Sequence, residues 1–518
     1  MHRSRALLLT QSFALGCLLA LTACRRPADP HTLRFIIESS PNNLDLRQGT
    51  DAQSERLGGL IYDALAQKDD HFNLQPMLAT SWERPDALTW VFHLRPDVRF
   101  HDGHVLNSAD VAWSINSMRD GTLITAKGSS LASIHDIATP DALTVVVHLT
   151  HPDNALLFNL SDGLFGVVEQ GAGRDEGDHP NGTGPFRFVS QAVDKDVVLA
   201  ANTMYWAGPP HIARIRFVIV PDTITAALEM KKGSADIESN VLTMDMVHAL
   251  ADVPSLRTED SPGATVLYLN FNVTEGAVRD VRVRQAIAYA IDRPPLIAAL
   301  WRGHAQAAST LLPATHWAAA PAADLPRYPH DPQRAEALLE AAGYKPDAHG
   351  IRLHVTLKIS TDETTRLVAQ AMQDQLLAAG IQMDIRSAEF GTFYADITHG
   401  AFQMYMLRWI GVNEDPDIFR YVFASASFPP KGANRGHYDN PALDALLVQA
   451  ANASDQPTRR TLYLQAQQIL ATDLPTLPLW YVDNVVVHNA RVTGIVQDPG
   501  GYFGFLRTAR FVEPPPQP

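Results

Sequence analysis

The stretch LRWIGVNEDPDIF, Leu407 to Phe419, gathers side chains suited to recognising a charged solute. Arg408 closes an apolar run. A guanidinium at a strand end can grip a carboxylate or phosphate through two parallel hydrogen bonds. Its other use is an internal salt bridge with Glu414 or Asp415. Trp409 can stack on a ligand or seal the core beneath it. Downstream, KGANRGHYDNPALD supplies Asn434, Arg435 and Tyr438 after a loop rich in glycine and proline. Arg435 reads either as a second anion contact or as a charge at the edge of its domain. Asp415 has a structural use as the N-cap of a helix with Pro416 at its first position, and Asp417 would lie near that helix's positive end.

Catalytic patterns are missing. The chain has no Walker A sequence, no HExxH and no G-x-S-x-G. FHDGH offers His101, Asp102 and His104, but a metal site needs further converging ligands, and Asp-Gly is a turn signal. GTGPF, from Gly182, lacks the lysine of a phosphate loop and reads as a turn feeding a strand. GAGRDEG, from Gly171, lacks dinucleotide spacing and reads as a loop. These segments supply no catalytic, metal or cofactor site, and none is expected.

The elements that must position these residues are legible in the second half. LHVTLKIS alternates Leu353, Val355, Leu357 and Ile359 with polar residues, which predicts a strand. In the next segment Val368, Met372 and Leu376 recur at helical spacing, and Gly380 is placed to stop the helix. IQMDIRSAEF then alternates Ile381, Met383 and Ile385. Strand, helix and strand with short joins make a βαβ unit with parallel strands. Phe402 to Trp409 is the next strand of that sheet. Ligands of open α/β sheets sit beyond the carboxyl ends of strands, where Arg408 and Trp409 fall, with a turn at Gly411. Other segments continue the alternation: a helix with Asp331 as N-cap, Pro332 at N1 and Gly343 as its stop; VRVRQAIAYAID, a helix ended by Pro294 and Pro295; ITAALEMKKG, a helix stopped at Gly233 before an ADIE strand; and TVLYLNFNV, a strand. No internal repeat is read in the chain.

The amino terminus reads as a targeting segment. Arg3 and Arg5 precede an apolar run from Ala6 to Leu21, which is shorter than the ~20 residues of a spanning helix. Leu21-Thr22-Ala23-Cys24 resembles the bacterial lipobox, in which the cysteine is acylated after cleavage. Cys17 and Cys24 are the only cysteines, so the mature chain would hold no disulfide and no free thiol. The formal charge is −14. Loss of Arg3 and Arg5 takes it to about −16, a poor match to nucleic acid. With 46% apolar and 19% charged residues the chain is of globular composition.

Blocks spread over nearly all of the mature chain carry a family likeness. LATSWERPDALTWVFHLRPDVRFHDGHVLNSADVAWSI, GTGPFRF, ALEMKKGSADIE, YLNFNV, VRQAIAYAIDR, AEALLEAAGY and LYLQAQQILATDLPTLPLW occur in this order. The chain thereby resembles the extracellular solute-binding proteins of ABC importers, family 5, the oligopeptide, dipeptide and nickel group. The resemblance implies an α/β, type II periplasmic-binding fold: two lobes joined by hinge strands, with an extra domain in the amino-terminal lobe. The expected boundaries are a signal peptide over 1–23, a lipidated Cys24 with a tether over 24–32, and lobe I from 33–55, 184–264 and 488–512. The extra domain would take 56–183, lobe II 265–487 and a disordered tail 513–518.

That resemblance also implies a ligand site. Peptide-binding members carry Gly-Trp, two residues, then an aspartate that pairs with the peptide's amine. Trp409 matches the tryptophan, Arg408 replaces the glycine, and Val412 replaces the aspartate. A valine cannot neutralise an enclosed ammonium; Asn413 or Glu414 could substitute from nearby. The expected ligand contacts are therefore Arg408, Trp409, Val412, Asn413, Asp415, Asn434, Arg435 and Tyr438. The expected cargo is a peptide or peptide-like small molecule enclosed between the lobes and handed to an ABC permease and ATPase complex. The chain would be a monomer held by its lipid to a membrane of the periplasm or cell envelope. Alternatives are a receptor for a nickel chelate, an opine or an oligosaccharide, or an exported chaperone or sensor of the same fold.

Overall fold

The computed structural model describes residues 31–512, except 124, 162, 164, 410–414 and 454. The targeting segment, Cys24, Val412, Asn413, Glu414 and the tail lie outside the described residues. No helix among those described is long and apolar enough to cross a membrane.

One large sheet runs through both lobes. Its lobe II end holds the strands Ile381–Ala388, Leu353–Ser360 and Met404–Trp409. Its lobe I end is built from Ile237–Ser239, Thr32–Ile37, Arg214–Ile219, Asp196–Ala201 and Phe186–Ala192. Two long antiparallel strands, Leu256–Phe271 and Thr476–Asn489, join the ends and serve as the hinge. Their register breaks between Ser261 and Thr265. Pro262 and Gly263 sit at that break. A Cβ on Gly263 would lie 2.1 Å from the Val482 carbonyl oxygen, so only glycine lets the two strands approach there.

The βαβ reading holds. Leu353–Ser360 pairs in parallel with Ile381–Ala388, and Leu353, Val355, Leu357 and Ile359 are all buried. The intervening helix, Glu363–Ala378, packs Val368, Met372 and Leu376 inward. Gly380 follows at φ 79°, the left-handed region that favours glycine. Met404–Trp409 runs parallel to Leu353–Ser360 on the opposite side; it starts two residues later than the alternation suggests. Asp331 accepts the Arg334 N–H as N-cap at 2.9 Å, with proline following. Two expectations need correction. Pro294 and Pro295 do not merely end a helix: they occupy the first turn of the next one, Arg293–Trp301, where a missing N–H costs nothing. The chain also contains a short repeat, PDALT, at Pro85–Thr89 and Pro140–Thr144.

Each copy of that repeat forms the tip of a hairpin. Asp86 accepts the Leu88 N–H at 2.8 Å, and Asp141 accepts the Leu143 N–H at 2.8 Å. The hairpins pair into a four-stranded antiparallel sheet, the centre of the extra domain. A buried carboxylate anchors this region. Asp63 accepts from Thr183 Oγ1, the Tyr205 hydroxyl and Trp206 Nε1 at 2.9–3.0 Å.

Candidate functional site

A cavity of about 780 Å³ opens between the lobes. Helix Ala52–Ile61 and the extra-domain segment 151–159 form one wall. The other wall is Asp415 with helix Ile418–Phe423 and the ends of the two helices Pro441–Asn452 and Gln456–Asp473. Its polar lining mixes both signs: Arg56 and Asp153 on the first side, Asp415, Asp417, Arg420 and Arg459 on the second.

The lobe II charges are paired. Arg459 Nη2 lies 3.2 Å from Asp415 Oδ1, and both side chains are largely buried. Arg420 Nε donates to Asp417 at 2.9 Å. Burial pushes the Asp417 carboxyl up, against the pull of the Arg420 hydrogen bond. Burial works against the Arg459 charge, but Asp415 and its neighbours outweigh it and hold the guanidinium protonated. On the facing wall Arg56 lies over the Phe503 ring at 5.6 Å. A guanidinium on an aromatic face keeps its in-plane donors free for a ligand.

The walls also touch beside the cavity. The hairpin tip between Ala66–Lys68 and Leu74–Pro76 reaches lobe II. Phe72, held at φ 61°, stacks on His316 with ring centroids 5.2 Å apart. His71 Nδ1 lies 3.0 Å from the Thr315 carbonyl oxygen, and the Trp317 N–H donates to the His71 carbonyl. Asp69 shapes the tip by accepting the His71 and Asn73 N–H groups. Asn154 Nδ2 donates to the Ala453 carbonyl at 2.8 Å.

Of the residues expected from sequence, Asp415 alone among the described ones lines this cavity. Its carboxylate accepts the Asp417 N–H at 2.8 Å, but the helix begins only at Ile418, so Asp415 closes a preceding turn and is not the N-cap. Arg408 is exposed and pairs with Asp362 at 3.2 Å, not with Asp415. The strand-end geometry explains this. Asp362 follows the neighbouring parallel strand, so both residues stand at the same carboxyl edge. Asn434 is buried: its Nδ2 donates to the Phe423, Ala424 and Tyr438 carbonyls, and its Oδ1 accepts the Tyr438 N–H. Tyr438 donates its hydroxyl to Asp473 at 2.5 Å. Both therefore brace the loop that carries Arg435.

The structure does bring Trp409 and Arg435 together. The Arg435 guanidinium carbon lies 5.7 Å from the Trp409 ring centroid and 5.1 Å from that of Tyr394. Trp409 stacks on Tyr268, ring centroids 6.0 Å apart. Burial pushes the Tyr268 and Tyr405 phenols up, so at neutral pH the guanidinium is surrounded by uncharged rings. The residues that sequence reasoning missed are Arg56, Arg420, Arg459 and the hairpin tip. Arg459 follows Asp415 by 44 residues, and no local pattern marks a pairing of that span.

Comparison with known proteins places this architecture in company. The family model described as bacterial extracellular solute-binding proteins, family 5 (middle), matches residues 73–429. A probable di/tripeptide-binding protein 5 of Pseudomonas aeruginosa (strain UCBPP-PA14) is 29% identical over 531 aligned positions, covering 96% of this chain and 99% of that protein. The structure of HbpA2 from Haemophilus parasuis superposes with a TM-score of 0.82 at 25% identity, over 93% of this chain and all of that one. The periplasmic binding protein DppA from Helicobacter pylori, in complex with the peptide STSA, superposes with a TM-score of 0.75 at 26% identity, over 93% and 98% of the two chains.

Proposed function

The chain belongs to the bacterial extracellular solute-binding proteins of family 5, and on that premise we propose that it encloses a peptide or peptide-like solute between its lobes and presents it to a membrane permease. The observation that carries this reading is the interlobe cavity with charges of both signs on facing walls. A short peptide is a zwitterion. It needs a cation and an anion a few ångströms apart, on surfaces that exclude water when the lobes meet. Arg56 on one wall and the Asp415–Arg459 pair on the other supply such groups. The volume of about 780 Å³ is that of a small-ligand pocket. The peptide-binding relatives named above support the same cargo class.

Delivery needs two states, open and closed, and the register break at Ser261–Thr265 is the natural pivot. Acylation at Cys24 would keep the receptor beside the permease. The proposed lobe limits are those of the sequence reading. The test uses the chain lacking its first 24 residues. Mass spectrometry of solute that copurifies with it should find peptides, and calorimetry with a di- and tripeptide set should find binding. Small-angle scattering should show the radius of gyration falling when a binding peptide is added. Absence of peptide binding together with an unchanged radius would overturn the reading.

A further inference from the structure

Arg435 is a buried cation with no counter-ion among the described residues. It is 5% exposed. Its guanidinium meets two phenols: Nη2 donates to the Tyr394 hydroxyl at 2.9 Å and the buried Tyr405 hydroxyl is a second hydrogen-bond partner, while Nη1 has no partner by distance and angle. The adjacent Trp409 Nε1 is also buried and also without a partner. Burying a guanidinium against neutral phenols, with no carboxylate, leaves much of its lost hydration uncompensated.

Beside this cation the surface is aromatic. Phe390 and Tyr394 are 53% and 41% exposed, and their rings stack at 5.7 Å. They lie on helix Phe390–Thr398, which starts immediately after the strand Ile381–Ala388 ends. Trp409 ends the strand Met404–Trp409. The group therefore stands at the carboxyl edge of parallel strands, the edge where ligands of such sheets lie. Two separate features meet here: donors that lack an acceptor, and an exposed aromatic pair that lacks a cover.

We infer that Arg435, Trp409, Tyr394 and Phe390 form a subsite for a carboxylate carried next to an aromatic or large apolar group of the solute. This subsite stands outside the lining of the interlobe cavity, at the sheet edge, and it extends the solute-receptor reading on which it rests. The Tyr394 hydroxyl holds the place of a ligand oxygen. An arriving carboxylate displaces it and accepts from the guanidinium, exchanging a neutral acceptor for a charged one. The ligand's apolar group then covers the Phe390 and Tyr394 rings. The subsite selects for the side chain that neighbours the solute's acid group.

The test compares N-acetyl-phenylalanine with N-acetyl-phenylalaninamide by calorimetry on the chain lacking its first 24 residues. The two differ only in the carboxylate. The acid should bind at least about tenfold more tightly than the amide, and Arg435→Gln should abolish the difference. Tyr394→Phe removes the competing hydroxyl and should strengthen acid binding by roughly three- to tenfold, a gain that loss of a merely structural contact would not give. This second variant decides the matter even where Arg435→Gln fails to fold. Equal affinity for acid and amide in the unaltered protein overturns the inference. So does Tyr394→Phe lowering the melting temperature with the acid-to-amide ratio unchanged. Scattering separates this from the receptor reading. Peptides that close the lobes without any dependence on Arg435 remove the subsite and keep the receptor; acid preference in a protein that no peptide closes does the reverse.

Discussion

Arg459, on the lobe II wall of the cavity, sits 3.2 Å from Asp415 with only 12% of its side chain exposed, against 14% for the aspartate. Trp317 and Tyr463 lie beneath the guanidinium, at 5.5 Å and 5.7 Å. The pair thus ties the turn that precedes helix Ile418–Phe423 to the first turn of helix Gln456–Asp473. Arg459→Met should strand the Asp415 carboxylate in a dry place. Removing one partner of a buried pair costs about 3–5 kcal/mol, and the remaining solvent contact puts this case near ~3 kcal/mol. Denaturant unfolding measures it. Asp415→Asn in the same background should recover most of the loss; no recovery would mean that the arginine acts through packing.

The Phe72–His316 stack joins the extra domain to lobe II outside the cavity. Aromatic contacts of this kind are worth about 0.5–1.5 kcal/mol beyond area burial. Phe72→Ala should therefore shift the unliganded protein toward a more open form. Small-angle scattering should report a larger radius of gyration for the variant, and identical curves would show that the tip does not hold the lobes.

Local chemistry was legible where the partner is near in sequence. The alternation of Leu353 to Ile359, the 368–372–376 spacing and the Asp331-Pro332 start each need only neighbouring residues, and each appears as expected. Contacts across the chain were not legible. Arg408 found Asp362 because two parallel strands end together, a fact fixed by sheet order. The hairpin tip at Phe72 carries no composition signal for a partner 244 residues away. Asn434 and Tyr438 look like ligand groups because they are polar, yet their bonds run inward to the backbone and to Asp473.

Stability should depend on pH through Glu176. Burial pushes its carboxyl up to about 7, although the Asn181 N–H and the Tyr62 hydroxyl pull the other way. Between about 4.5 and 7 the folded protein holds a proton that the unfolded chain has released. Stability from this group therefore falls as pH rises through that window and is level above it, a change on the order of 3 kcal/mol. Glu176→Gln keeps an acceptor and removes the titration. Urea unfolding at pH 5 and pH 8 should show a smaller pH difference for the variant; an equal difference would assign the effect to other groups.

Lipid attachment has a direct test. Cys24→Ser in the full chain should leave no acylation site, since the other cysteine, Cys17, falls within the signal segment expected from sequence. The variant should move from the detergent phase to the aqueous phase and lose its mass increment. Retention in the detergent phase would point to an uncleaved signal as the anchor.

The last prediction separates two roles for Arg408. Its pair with Asp362 has both side chains 40% exposed. Exposed pairs contribute about 0.2–1 kcal/mol, so Arg408→Ala should leave the melting temperature almost unchanged. The same exposure makes the guanidinium free to leave Asp362 for a stronger partner. If a solute anion takes it when the lobes close, water is excluded and the contact is worth more. Arg408→Ala should then lower affinity for an anionic solute by about 30-fold or more, or roughly 2–5 kcal/mol. Arg408→Lys should recover only part, because one ammonium cannot reproduce two parallel bonds. Asp362→Asn is the complement. It frees Arg408 without touching the solute, and affinity for the anion should rise. Calorimetry with a peptide acid and its amide reads all three. A drop in stability with affinity unmoved would make Arg408 a structural charge and would leave Arg435 as the cation to test at this edge of the sheet.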